Sequence, residues 1–505
     1  MKPPHPFAKA HARYLRDYAW RFAASAPASP AWTKSDGPRC IAVLPLRGET
    51  PDALSARLAE AALGQALLVA VVNAPPAEEP NFAARNAACI AAADATRIGS
   101  SFAVERVAPA QRSAVDAWWA RDPVHGQPWL CCDARGALVA GVGSARRLGT
   151  DLALALQASW TACSPYVRWL DADGHYPPLY FRDEAPAVSY AARFARFLHI
   201  APEGASPRGA PGGALAEAAV IYDAWLRYEW AALSAVGAAG AYPPIASILH
   251  IHVGAYAAVR GVPERDAGED FHLLAKLSKV GAIGGPLQAM VCLAARTEVR
   301  APVGTAAGIN ALLLGESPPA LFTHPEAFRA LGYVLHATGA HQRASLPDPA
   351  NAGPVPSWED ARAPFAPAKG AWPDERPLPP PNPAALLRTL LALGLPSRLA
   401  SFVAVALEEA AAPLPTGYFC GDAPAAQEAF GKPKALAKSH FVAWFDALKQ
   451  RRFLRAWSGT LPPMSGPEAC ARAQAELGPN FAAIWRQGLP ECQRSGVAYP
   501  RTMSL

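Results

Sequence analysis

Long apolar runs are missing from this chain of 505 residues. The longest, such as residues 66–72, fall far short of the roughly 20 needed to cross a bilayer, so no transmembrane segment is expected. Residues 386–407 are apolar but interrupted by Arg388, Pro396 and Arg398, and read as a packed helix pair. The N-terminus carries Lys2, Lys9, Arg13, Arg16 and Asp17 without the apolar core of a signal peptide. The nine cysteines are scattered, Cys131 and Cys132 are adjacent, and no C-x-x-C pair exists. That pattern argues against zinc-ribbon and redox motifs and fits reduced thiols in a cytoplasmic protein. Charged residues are only 17%, against roughly 25% in an average soluble domain. The net charge of +6 is spread thinly, and the densest basic stretch is 432–455. This mild excess suits phosphate-bearing ligands and falls short of a nucleic-acid footprint, so no nucleic-acid partner is expected. The stretch 432–455 reads as a solvated helix face, with peripheral contact to a membrane surface or an anionic acceptor as the alternative. No G-x-S-x-G or H-E-x-x-H motif and no fixed-period repeat is present.

What is present is enough apolar sequence, 51%, for a large core, and a length that suggests two or three domains. Residues 1–36 read as a helical arm ending in a Pro/Ser-rich stretch. Residues 40–46 (CIAVLPL) form a short buried strand, 51–63 a helix with Leu54, Leu58 and Ala62 on one stripe, and 67–73 (LLVAVVN) a second strand. This strand–helix–strand order predicts a βαβ unit with parallel strands covered on both faces. Further helices are expected at 81–93, 144–160, 214–235 and 269–280, and strands at 129–132, 166–170 and 248–259. A Gly/Pro-bearing stretch, 281–308, follows. The fold class is therefore α/β, a doubly wound mostly parallel sheet over 37–310. A Pro-rich linker and wrap over 311–382 and a mainly helical region over 383–505 complete the chain.

The chemistry gathers at a few places. Asp171 and Asp173 end an apolar strand at i and i+2, so both carboxylates project to one side. In an open α/β sheet ligands bind beyond the carboxyl ends of strands, and two carboxylates there suit a hard divalent cation that leaves room for phosphate oxygens. An Asp-rich turn is the plainer reading. Gly268-Glu269-Asp270-Phe271 opens a later helix; its acids either complement the helix dipole, or supply a general base, or both. Gly141-Val142-Gly143-Ser144-Ala145-Arg146-Arg147 is a glycine turn running into a helix with two arginines in its first turn, an arrangement that favours a phosphate. His175 follows the Asp pair, where it could touch the metal or the substrate. His250 and His252 form a strand pair that is either metal-binding or packed. Trp118, Trp119, Trp225 and Trp230 read as core before sugar-stacking residues.

The order of these motifs resembles family 2 glycosyltransferases of the GT-A fold, over residues 39–309. The resemblance rests on AVLPLRGE with Pro45 and Glu49, the strand ending in Asn73, and Ala145-Arg146-Arg147 with Gly149. It also rests on the Asp171-Ala172-Asp173 pair, on 254–259 (GAYAAV) with the following Gly261, and on Gly268-Glu269-Asp270-Phe271. Within that family it is similar to a bacterial subgroup with a Tyr-x-x-x-Leu-Arg-Tyr helix, here 222–228, and a marked G-E-D-F segment. The resemblance implies an inverting transfer from a UDP- or GDP-linked sugar donor to a glycan or other hydroxyl acceptor, assisted by Mn²⁺ or Mg²⁺. It assigns Asp171 and Asp173 to the metal and diphosphate, Asp270 to catalytic base with Glu269 beside it, Glu49 and Asn73 to the nucleotide pocket, and Arg146 to the diphosphate. Arg47-Gly48 departs from the pair that many members carry before the Glu, and 291–296 (VCLAAR) stands where a more polar, Arg-rich segment is usual. A nucleotidyltransferase and a non-catalytic nucleotide-sugar- or partner-binding relative are the rival readings.

Overall fold

The computed structural model describes residues 8–23, 30, 37–74, 78–106, 114–138, 141–157, 160, 163–182, 190–202, 211–265, 267–298, 304–314, 322–340, 381–409 and 432–462, with scattered positions from 464 to 503. The chain forms two compact units. The first comprises 1–200 and 244–307; the second comprises 201–243 and 308–505. Residues 201–243, inside the span 37–310 of the sequence reading, thus group with the C-terminal part.

Eleven strands of the first unit lie along one path. They are β1 (Trp20–Phe22), β2 (Cys40–Leu46), β3 (Ala66–Val72), β4 (Arg97–Arg106), β5 (Ala114–Arg121), β6 (Pro128–Asp133), β7 (Tyr166–Trp169), β8 (Gly174–His175), β9 (Ala192–Pro202), β10 (Leu249–His252) and β11 (Ile283–Ala294). Their order is β1-β4-β5-β6-β3-β2-β7-β10-β9-β11-β8. The expected mostly parallel sheet is corrected here: the sheet is mixed, and six of the ten pairings along this path are antiparallel. Parallel pairing holds from β6 through β3 and β2 to β7, and again between β9 and β11. The physical reason lies in burial. Every residue of β3 is buried, as parallel strands covered on both faces require, whereas β4 (RIGSSFAVER) is largely exposed and pairs with β5 as an antiparallel extension.

The helices of the first unit are α1 (Ala8–Asp17), α2 (Pro51–Leu63), α3 (Pro80–Ala95), α4 (Val142–Gln157), α5 (Val253–Ala258) and α6 (Glu269–Leu277). Thr50 caps α2, its hydroxyl accepting from the Ala53 amide at 3.3 Å, and Pro51 starts the helix where a missing N–H costs nothing. Gly149 lets α4 close on the sheet: a Cβ there would stand 2.5 Å from Val43 Cγ1. The arm is anchored through a buried carboxylate of α4. Tyr14 Oη donates to Asp151 Oδ1 at 2.8 Å, and the Trp20 amide donates to Oδ2 at 3.0 Å. One expectation fails locally. The strand expected over 248–259 ends at His252, whose Nδ1 accepts from the Gly254 and Ala255 amides and so caps α5. The Gly/Pro stretch contains β11, which accommodates Pro286 beside register shifts.

The second unit is mainly helical, with Pro211–Ala235, Pro325–Ala337, Pro383–Ala392, Ser397–Glu409, Lys432–Trp444 and Ala447–Ser458. The expected helix pair is present, broken at Gly394 with φ +82° and at Pro396. Pro325–Ala337 is a buried helix inside the span read as a linker; residues 341–380, which hold most of the Pro-rich stretch, lie outside the described residues. No helix among the described residues is long and apolar enough to cross a membrane.

Candidate functional site

The strand order places a crevice before any side chain is considered. From β2 the chain builds outward through β3 to β6, then crosses to the other side of β2 to form β7. Ligands bind outside the carboxyl ends of such strands, where the order reverses. Arg47-Gly48-Glu49 follow β2 there, and Asp171 and Asp173 follow β7. Gly48 has φ +68° and lies under the Phe82 ring, a turn that a side chain would strain.

Asp171, Asp173, Glu269, Asp270, Glu49 and Arg146 come together in one cluster. Arg146 Nη2 meets Asp171 Oδ1 at 2.5 Å, while its Nη1 donates to Glu269 Oε1. The guanidinium also lies 5.2 Å from the centre of the Trp169 ring. Arg296, on the segment following β11, pairs with Asp173 Oδ2 at 2.7 Å and stands 3.9 Å from Glu49 Oε1. Asp270 neighbours Glu269 in the first turn of α6, its Oδ1 accepting from the Phe271 amide at 2.6 Å. Burial and then the Glu269 charge raise Asp270 to about 7, against the opposing pull of Arg146. Burial works against the Arg146 charge, but Asp171, Glu269 and Asp270 outweigh it and raise its pKa.

Arg146 does not stand where the sequence suggested. The helix begins at Val142, two residues before the expected start at Ser144, so Arg146 lies in its second turn. Its side chain is 4% exposed and committed to protein carboxylates. The start of α4 is itself covered: a Cβ on Gly143 would stand 2.8 Å from the Arg265 carbonyl oxygen. Arg147 turns away to Glu264 at 2.7 Å. The anions that the two arginines call for are the protein's own.

Asn73 is buried beside the crevice. Its Nδ2 donates to the Gly141 carbonyl at 3.1 Å, and its Oδ1 has no donor among the described residues. His175 is half exposed, and its Nδ1 lies 2.5 Å from Glu60 Oε1, a contact that raises its pKa. His250 is buried, with Arg168 and Arg193 directly opposite on the flanking strands; burial, then those two charges, lower its pKa. Trp118, Trp119 and Trp230 are core residues. Sequence reasoning did not assign Arg296, Arg57 or Glu60 to the site. The only local signal was the pair of charges at 57 and 60 on the apolar helix α2.

The donor set can be tested against a divalent cation. Five carboxylates (Glu49, Asp171, Asp173, Glu269 and Asp270) face two guanidiniums (Arg146 and Arg296), an excess of negative charge with oxygen ligands only. Asp171 and Asp173 keep 29% and 19% side-chain exposure, whereas Glu269 keeps 4%, so the Asp pair is the part open to a ligand. Among the described residues no group of three or more His, Cys, Asp or Glu is arranged to hold a metal ion. The oxygen donors and the charge excess suit a divalent cation, but the described residues do not by themselves form its shell. No protein-family model and no curated protein matches this chain.

Proposed function

We propose that this protein is a metal-assisted, inverting glycosyltransferase that uses a UDP- or GDP-linked sugar donor and an acceptor hydroxyl, built on an elaborated GT-A-like sheet. The observation that carries the reading is the Arg146 bridge. It joins the strand-end carboxylate Asp171 to the helix-borne Glu269, the neighbour of Asp270, at the crevice where the strand order reverses.

Asp171 and Asp173 would hold Mn²⁺ or Mg²⁺, which when bound neutralises the departing nucleoside diphosphate. Asp270 takes the proton from the acceptor hydroxyl; a pKa raised to about 7 makes it a stronger base than an ordinary carboxylate, and its basic form gains as pH rises through that value. Glu269 contributes by its charge beside Asp270, and Arg146 holds Glu269 against Asp171. Glu49 and Asn73 line the nucleotide pocket, where the Asn73 Oδ1 offers an acceptor to a base N–H. One observation favours a second reading, a non-catalytic nucleotide-sugar binder: each Asp of the pair is already held by an arginine.

The test is thermal stabilisation by UDP and GDP, each with Mn²⁺ or with EDTA. A ligand at 100 times its Kd adds about 2.7 kcal/mol of stability. Stabilisation is expected only with the cation, because two carboxylates and a diphosphate otherwise repel. Equal stabilisation in EDTA rules out metal bridging.

A further inference from the structure

Against the Asp171–Asp173 loop the first unit carries a second group of buried charges that the proposed chemistry does not use. Arg57 and Glu60 lie one turn apart on α2 and are 7% and 9% exposed, in a helix otherwise packed through Leu54, Leu58, Ala61 and Ala62. Burying two charges is costly, and an apolar pair would pack there without that cost. What the pair does is grip one loop at several points. Arg57 Nη1 donates to the carbonyl oxygen of Ala172, the residue between the two aspartates, at 3.3 Å. Glu60 holds that guanidinium: Nη2 donates to Oε1 at 2.9 Å, and Nε stands 2.9 Å from Oε2 as an ion pair without hydrogen-bond geometry. The same Glu60 Oε1 meets His175 Nδ1, two residues beyond Asp173. Arg57 also lies over the Tyr176 ring, 5.7 Å from its centre, and Tyr176 Oη accepts the Asp171 amide at 2.7 Å. The last tie is made by β11, where the Ala294 amide donates to the Asp173 carbonyl at 3.0 Å.

We propose that Arg57 and Glu60 are positioning residues that lock the Asp171–Asp173 loop so that both carboxylates face the ligand side together. A carbonyl held at Ala172 fixes the peptide between the aspartates, and with it the directions of the side chains before and after. Neither residue touches a reacting atom. The consequence for ligand binding rests on the glycosyltransferase reading; the grip on the loop does not.

The experiment uses the protein with Arg57→Met, Glu60→Gln and the milder Tyr176→Phe, which removes the hydroxyl that accepts from the Asp171 amide and donates to the Asp171 carbonyl at 3.5 Å. Two readouts are taken: hydrogen exchange of the segment 169–176, and the Mn²⁺ concentration needed for half-maximal UDP or GDP binding. Loss of such outer support typically weakens metal sites about 10- to 100-fold. A rise of about that size in the Mn²⁺ requirement is expected for Arg57→Met, with a smaller one for the other two, together with faster exchange confined to 169–176. Unchanged exchange there overturns the grip, whatever the ligands do. Faster exchange with an unchanged Mn²⁺ requirement reduces the pair to a structural role and overturns the positioning claim. A wild-type chain that binds neither nucleotide with Mn²⁺ overturns the glycosyltransferase reading instead, and exchange alone then decides the grip.

Discussion

Arg146 on α4 and Glu269 at the start of α6 form an ion pair in which each side chain is only 4% exposed, although 123 positions separate them in the chain. Through it, a helix packed on the parallel strands is tied to the helix that carries Asp270. Asp171 shares the same guanidinium, so acids of two distant segments meet on one side chain.

Removing that side chain leaves Glu269 buried without its partner. Breaking a buried pair from one side typically costs about 3–5 kcal/mol. Arg146→Met is expected to lose stability on that scale in urea unfolding, and Arg146→Met with Glu269→Gln to recover part of it. No recovery in the double variant means that the two side chains act independently.

Gly149 offers a test of the fold beneath the site. Glycine to alanine inside a helix ordinarily gains up to about 1 kcal/mol. Here the added Cβ would stand 2.5 Å from Val43 Cγ1, so overpacking is expected to reverse the sign and cost about 1–3 kcal/mol. Denaturant midpoints measure this, and adding Val43→Ala should relieve it. A more stable Gly149→Ala contradicts the close approach of α4 to β2.

Much of this was legible in the sequence. The segment 51–63 reads as a helix because Leu54, Leu58 and Ala62 repeat at helical spacing; α2 occupies those residues. Strands β2, β3 and β7 were visible because nearly every residue is apolar, the mark of burial on both faces. The strand β4 has too few apolar residues to announce itself, and β11 opens with Gly284-Gly285-Pro286, which reads as a turn. For the site, the acids could be found from strand-end and helix-start position. Their partners could not. Arg296 meets Asp173 from far along the chain, and Arg57 meets a backbone carbonyl at Ala172, a contact that no pattern of residue types encodes.

Asp151 gives the arm a pH signature. Burial raises its carboxyl from 3.8 to about 6, although Arg147 and the hydrogen bonds from Trp20, Tyr14 and Tyr256 oppose the shift. The folded state therefore holds this proton more tightly than the unfolded chain. Its contribution to stability is full below about pH 4 and is lost as pH rises through about 6. Asp151→Asn is expected to remove that slope, so the stability difference between variant and wild type shifts in the variant's favour between those limits. Parallel urea midpoints across that range for the two proteins contradict the assignment.

In the proposed reaction Asp270 acts on the acceptor while Asp173 acts on the donor. Donor affinity, by calorimetry, and transfer rate separate the two roles when measured on the same preparations of wild type, Asp270→Asn and Asp173→Asn, with Mn²⁺ present. Loss of a general base costs about 10²–10⁴ in rate and little in donor binding. Asp270→Asn is expected to bind a UDP- or GDP-linked sugar as wild type does and to transfer it slower by that factor, while Asp173→Asn loses binding and transfer together. Unchanged transfer by Asp270→Asn, or a wild type that binds and transfers no such donor, contradicts the account.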